Sequence, residues 1–332
     1  MHAIRLHAFG PAENLTYEEV EEPVPGPGQV RIAVAAAGVH LLDAALRMGH
    51  TGPFPAPAEL PTIPGREVAG TVDALGEGTD ASWLGRRVVA HLGMAPGGYA
   101  EKAVVDAGRL HALADHVGEA EAVAMIGTGR TTLGILQFAE LGPESVAVVP
   151  AAAGGIGTLL VQYAKNAGAT VIGLAGGPDK VARVAENGAD LAVDYKLPDW
   201  PDQVRAFLGS RTATVVFDSV GGDTARAAVD LLGKGGLHLV FGWSSGGIAD
   251  GEPLTFTEEE LATKGITSES VLGPVMLQKA GGDVRNLELA ALAAATGGTL
   301  RPAVQPFPLR NATEAHRALE SRGTIGKVVL IP

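Results

Sequence analysis

Residues 151–157 read Ala-Ala-Ala-Gly-Gly-Ile-Gly, set between the apolar run Val146-Ala147-Val148-Val149 and an amphipathic stretch from Thr158 to Ala167. Strand, small-residue turn and helix in that order expose main-chain amides at a helix start. Those first N–H groups have no intrahelical acceptor, and the helix dipole adds positive charge there. The chemistry is the seating of a diphosphate, with Ala152, Gly154, Gly155, Ile156 and Gly157 as candidate contacts. A side chain at Gly154 or Gly157 would keep phosphates from the backbone or the helix from its strand. A following strand over Ala169–Leu174 completes a βαβ unit, the context that makes a short glycine pattern a dinucleotide site. At its tip, Ala175-Gly176-Gly177-Pro178 carries no carboxylate to bind a ribose 2′-hydroxyl or to repel a 2′-phosphate. Gly176 joins the candidate contacts. Lys180, with Arg183 one turn behind it, and Tyr195 at the end of the third strand form a reasonable phosphate clamp. Alternatively, Lys180 and Arg183 are solvated helix charges; Asp179 beside Lys180 counts against a 2′-phosphate unless it serves only as a helix cap. The cofactor expected from these residues is NADP(H).

The elements that must position this chemistry fall into three stretches. Up to about residue 122 the chain holds short β-rich segments, at Gln29–Val34, Glu67–Leu75, Arg87–Leu92 and Tyr99–Val105, with a proline-rich surface loop from Pro53 to Pro64. Strands and helices then alternate. Strands are expected at Val146–Val149, Val171–Leu174, Leu191–Val193, Thr214–Asp218 and Leu237–Phe241. The helices between them span Ile156–Ala167, Asp179–Asn187, Asp199–Leu208 and Asp223–Leu232. Such alternation implies a doubly wound parallel sheet of α/β class with right-handed crossovers. Ile266–Val271 is a sixth strand or the exit from this domain, and Lys327–Ile331 is a strand. The expected arrangement is a nucleotide domain, residues 123–267, inserted into a split β-rich domain, residues 1–122 and 268–332, with the active site in the cleft between them.

Composition narrows the partners. The chain has 332 residues, 46% hydrophobic, with a net charge of −12, which argues against nucleic acid or an anionic membrane as partner. No apolar run reaches the length of about 18 residues that a membrane span requires, and Met1 to Leu6 reads as a strand and not as a signal peptide. A cytoplasmic location is expected. There are no cysteines, so disulfides and thiolate zinc ligands are excluded, and none of the nine histidines shows metal-ligand spacing.

Matching segments run the length of the chain: Gly38 to Asp43, Ile63 to Gly70, Gly97 to Glu101, the 151–157 turn with its continuation LLVQYAKNAGATVIG, Val215 to Thr224, Phe241-Gly242, and the ending SRGTIGKVVLIP. By these the chain resembles the medium-chain dehydrogenase/reductase superfamily, and within it the zinc-free, zeta-crystallin-like quinone oxidoreductases. The resemblance implies a GroES-like catalytic domain, a Rossmann domain that often mediates a homodimer, and NADPH as hydride donor to a quinone or α,β-unsaturated carbonyl. It also implies that Lys180 and Tyr195 bind the 2′-phosphate, and that Thr131 and Arg322 lie at the cofactor. For Thr131 a helix-cap role is the alternative, and for Arg322 an ordinary ion pair. Phe241 and Gly242 end the last strand of the parallel sheet, where ligands sit at strand C-termini, and Ser244 is close enough to contribute.

The zinc alcohol dehydrogenases of the same superfamily take a Cys where this chain has His40 and a His where it has Arg66. A guanidinium stays protonated and puts positive charge where a metal would sit, so no metal is expected. His40, commonly Asn in zinc-free relatives, is the first catalytic candidate, as hydrogen-bond donor or general acid. The alternative is that it supports the cofactor or packs with Asp43. Asp43 is a candidate for holding the His40 loop, and Arg47 for reaching the same cleft. The substrate expected is a small, apolar electrophile, with Phe54 and Trp243 as candidate apolar walls; the alternative for either is a simple core position. The two other readings are a nucleotide-binding, crystallin-like protein with little turnover and an enoyl reductase acting on acyl thioesters.

Overall fold

The computed structural model describes residues 1–52, 54–247 and 251–332, and the chain divides into two compact units, residues 1–128 with 302–332 and residues 129–301. Pro53, the first residue of the proline-rich loop, lies outside the described residues. From Phe54 to Pro64 there is neither helix nor strand, only an isolated bridge from Thr62 to Leu6.

The chain opens with β1 (His2–Leu6) paired to β2 (Leu15–Glu19), then β3 (Gln29–Gly38), β4 (Glu67–Leu75), β5 (Arg87–His91), β6 (Lys102–Asp106) and β7 (His111–Ala112). In β3, Val30, Ile32 and Val34 alternate inward between less buried neighbours, the period of a strand with one face on a core. The strand expected from Tyr99 starts only at Lys102. Tyr99 and Ala100 instead lie against β1, where the Ile4 N–H donates to Tyr99 O at 2.8 Å.

The second unit carries β8 (Val146–Val149), β9 (Thr170–Ala175), β10 (Leu191–Asp194), β11 (Ala213–Asp218), β12 (Leu232–Val240) and β13 (Thr267–Ser270), all parallel, in the order β10-β9-β8-β11-β12-β13. Helices Gly155–Asn166, Pro178–Glu186, Trp200–Leu208 and Gly222–Val229 alternate with these strands. β8 is buried at every residue, as a parallel strand covered on both faces must be. Strand order reverses at β8, so the crevice beyond its carboxyl end is where a ligand binds in sheets of this kind. The chain then returns as β14 (Val304–Pro308) and β15 (Lys327–Ile331), which complete the first unit's sheet, β14-β15-β3-β4-β5-β7, with β6 on β3.

Boundaries depart from expectation in three places. Helix Glu119–Ala124 packs on β3 and β4, which carries the first unit to Thr128. Residues 268–301, expected with the split domain, pack with the second unit: β13 pairs with β12, and helix Val284–Thr296 lies on helix Arg130–Leu136, joined by Arg130 to Glu288 at 2.6 Å. β12 begins at Leu232, where the preceding helix was expected to end, because that helix stops at Val229.

Candidate active site

Local sequence builds the seat at the end of β8. Ala151 takes a left-handed φ of 51°, its carbonyl accepts the Gly154 N–H at 2.9 Å, and helix Gly155–Asn166 starts at an N-cap glycine with no side-chain cap. The strain of a non-glycine residue in that region is held where strand turns into helix. The Ala152 N–H donates to Leu174 O at 2.9 Å, so that amide is committed to β9 and is not a phosphate donor. A Cβ on Gly157 would lie 2.4 Å from Ala151 O and 2.7 Å from Ala152 Cα, backbone atoms that cannot give way. At Gly154 a Cβ would stand 3.2 Å from Ala151 O, so that glycine serves close approach from outside more than internal packing.

At the tip of β9 the second corner forms. The Tyr195 N–H donates to Ala175 O at 3.1 Å, and a Cβ on Gly176 would meet Tyr195 Oη at 2.9 Å and Lys196 Cε at 3.0 Å. Lys180 lies in the first turn of helix Pro178–Glu186, which starts from Gly177 at φ 96°. Arg183 pairs with Glu186 at 2.7 Å in solvent, the ordinary helix charge of the alternative reading. Lys196 was not singled out from sequence; its neighbour Tyr195 was the signal for it. Backbone N–H groups of Gly177 and Lys196 hold the Asp194 carboxyl below its ordinary range, so an anion borders this corner as well.

Past the other strands, the Phe241 N–H donates to Asp218 O at 2.8 Å and its ring is buried, leaving main chain as its available group. A Cβ on Gly242 would come 2.8 Å from Ser219 O, and the Ser244 hydroxyl donates to that same carbonyl at 3.2 Å. Thr131 is the second residue of helix Arg130–Leu136, whose N-cap is Gly129, so it does not cap that helix. Arg322 is exposed in the first unit, just past helix Ala312–Glu320, with φ 57°. A diphosphate seat of bare glycines and a strand tip with Tyr195 and Lys196 beside it fit a dinucleotide bearing a 2′-phosphate.

The first unit assembles a cluster of buried charge around His40, which precedes helix Leu41–Arg47. The His40 N–H donates to Asp43 Oδ2 at 2.8 Å, so Asp43 caps the helix and fixes the loop. His40 Nε2 lies 2.5 Å from Glu67 Oε1 at the start of β4, and Glu67 Oε2 lies 2.9 Å from Lys327 Nζ at the start of β15. Burial alone would raise the Glu67 carboxyl, but the charges of His40 and Lys327 outweigh it and hold the group well below the usual range. Burial pulls Lys327 down, offset in part by Glu67. Sequence reasoning missed both; the available signal was a charged residue opening each of two apolar strands.

Arg47 does not reach the same place. Its side chain is 1% exposed and spans the unit interior, where Nε donates to Gly10 O at 3.0 Å and Nη1 contacts Glu320 at 2.6 Å and His316 Nδ1 at 3.3 Å. Since a guanidinium can only donate, His316 Nδ1 accepts and its proton sits on Nε2. That nitrogen faces Tyr99 Oη at 3.1 Å, and the Tyr99 hydroxyl donates to Asp43 Oδ2 at 3.2 Å. Arg47 is therefore a strut at the far end of the chain of hydrogen bonds that orients Asp43. Burial, with Arg47 adding to it and Asp43 opposing, brings His316 down to about 4, so it is neutral. Burial and then Asp43 push the Tyr99 hydroxyl well above its ordinary value. A zinc does not fit here: His40 is engaged by Glu67, and Arg66 sets a buried guanidinium beside Asp43.

Comparison with known proteins agrees in both units. Residues 26–115 match the alcohol dehydrogenase GroES-like domain, and residues 155–279 match the zinc-binding dehydrogenase family. Over its whole length the chain is 31% identical to a 2-haloacrylate reductase of a Burkholderia species, covering 98% of each chain. It is equally 31% identical to quinone oxidoreductase 1 of Escherichia coli, covering 99% of each. The crystal structure of Escherichia coli quinone oxidoreductase complexed with NADPH superposes with a TM-score of 0.84 at 29% identity, covering 100% of both chains.

Proposed function

The chain belongs to the quinone oxidoreductase branch of the medium-chain dehydrogenase/reductase superfamily, and on that premise we propose that it reduces its acceptor without a metal, with His40 as the acid-base group. It is an NADPH-dependent oxidoreductase acting on a quinone or an unsaturated substrate. NADPH, when bound, supplies the hydride. Gly155, Ile156 and Gly157 hold its diphosphate through main-chain amides, Gly154, whose own N–H is spent on Ala151 O, lets it approach closely, and Lys180, Tyr195 and Lys196 hold the 2′-phosphate. Thr131, Gly176, Phe241, Gly242, Ser244 and Arg322 complete the proposed contacts.

A quinone or enone delocalises the charge it gains, so donors near the acceptor oxygen suffice where an alcohol would need a Lewis acid. Glu67 holds the His40 ring through Nε2 as a carboxylate holds the histidine of a catalytic triad. Asp43 positions the loop, and Tyr99, His316 and Arg47 position Asp43. One observation carries the metal-independent reading: the buried Arg66 guanidinium beside Asp43, in the place of a ligand. A homodimer belongs to the same proposal, supported by the exposed edge strand β13. So does a cytoplasmic location, supported by the lack, among the described residues, of any helix long and apolar enough to cross a membrane.

The test is NADPH oxidation by purified protein across quinones and enones, with and without a chelator, for wild type and His40→Ala. Turnover should survive chelation and fall on the order of 100-fold in the variant, the range of acid-base catalysis. Turnover restricted to an alcohol plus added zinc, or an unchanged rate in His40→Ala, would remove the proposal.

A further inference from the structure

Among the described residues, three Arg or Lys side chains are buried: Arg47, Arg66 and Lys327. Two of them have a carboxylate oxygen close by, Glu320 at 2.6 Å from Arg47 and Glu67 at 2.9 Å from Lys327. Arg66 differs. Its nearest anion is Asp43 Oδ1, 3.7 Å from Nη2 and beyond hydrogen-bond reach, while Asp43 Oδ2 already accepts from the His40 N–H and the Tyr99 hydroxyl. Arg66 Nε is buried with no partner at all. The guanidinium also faces the Phe54 ring, 5.2 Å from Cζ to the centroid.

We propose that the acceptor carries a carboxylate and that Arg66 binds it, which rests on the reductase reading above and narrows its substrate class to unsaturated carbonyl acids. A guanidinium cannot discard its proton, and its burial is costly unless an anion supplies the acceptors it lost with water. Its planar fork presents parallel N–H pairs to the two oxygens of a carboxylate, a match that a neutral quinone or ketone cannot offer twice over. Phe54 supplies an apolar wall against the same group. The His40 main-chain N–H and the Arg66 guanidinium both lie against Asp43, so an acid held by Arg66 is bound next to the loop that carries His40. In the balanced reaction the β-carbon gains the hydride of NADPH and the C=C π pair moves to the α-carbon and carbonyl oxygen. A proton then closes the α-carbon; NADP⁺ leaves, and the carboxylate is unchanged.

The acid (E)-4-oxopent-2-enoate and its methyl ester share the reacting carbons and differ in charge. Their kcat/KM values with NADPH should favour the acid in wild type. The acid-to-ester ratio should fall roughly thirtyfold in Arg66→Gln, with Arg66→Lys between, the range for a hydrogen bond to a charged group. Calorimetric binding of the saturated acid, 4-oxopentanoate, against its methyl ester reads the same preference in wild-type protein without turnover and without a variant. Equal use and equal binding of acid and ester, or a ratio that Arg66→Gln leaves unmoved, would overturn the assignment of Arg66. Absence of NADPH oxidation with acid, ester and neutral quinones alike would instead overturn the reductase reading, and tighter calorimetric binding of the acid would still stand for Arg66.

Discussion

The two units build their candidate sites from different materials. In the second, the seat is main chain: glycines between β8 and its helix over an apolar core, with the charged side chains Lys180 and Lys196 at the rim of the strand tip. In the first, it is side chain: His40, Asp43, Glu67, Tyr99, His316 and Lys327 meet in the interior, each holding a neighbour in place. A main-chain site fails when volume is added. A side-chain site fails when a charge loses its partner.

The largest effect expected is therefore in the first unit. Glu67→Gln removes the carboxylate that faces both His40 and Lys327, and breaking a buried pair from one side costs about 3–5 kcal/mol. Denaturant unfolding should register this loss, and the double change Glu67→Gln with Lys327→Met should recover most of it, since an apolar replacement strands no charge. A double variant no more stable than the single one would mean that the pair is not the unit at stake.

Gly157→Ala sharpens the contrast from the other side. It adds one methyl group at 2.4 Å from Ala151 O, with no charge altered. NADPH binding, followed by nicotinamide fluorescence, should weaken on the order of 100-fold, as expected when a tightly specified geometry shifts by about an ångström. Unchanged affinity would show that the bend tolerates volume and that the seat lies elsewhere.

The smallest effect is a pH dependence confined to the first unit. His316 falls from its ordinary 6.5 to about 4 on folding, so between those values the unfolded chain binds the extra proton. Stability then rises with pH through that window and is lost as pH falls, by about 2 kcal/mol between pH 7 and pH 5. Glu67, held well below its ordinary range, contributes in the same direction at lower pH, since its carboxylate must be protonated for the chain to unfold in acid. In His316→Gln the slope of stability against pH between 7 and 5 should flatten, whatever the variant's absolute stability. A slope equal to wild type would assign the acid sensitivity to another group.

How far the sequence could be read follows the same division. The parallel strands, their helices and the turn at 151–157 were legible because each is a contiguous segment whose apolar period or glycine content shows its state. Even there the local pattern does not show that the Ala152 amide is spent on Leu174 across the sheet, and Lys196 carries no mark beyond its neighbour Tyr195. In the first unit His40 and Asp43 were found from their loop, but Arg47 was assigned to chemistry although it is a buried strut, and neither Glu67 nor Lys327 was noticed. The segment 268–301 was given to the wrong unit because its helix carries no mark of the surface it packs on.

By itself the sequence determined the order of elements, the parallel sheet and the phosphate-seating bend, because those depend on neighbours within a dozen residues. Only the tertiary structure decided which charges are buried together: His40, Glu67, His316 and Lys327 lie up to 287 positions apart in the chain. Their protonation and pairing follow from being removed from water at one place, and that desolvation exists only once β3, β4, β15 and helix Ala312–Glu320 have packed.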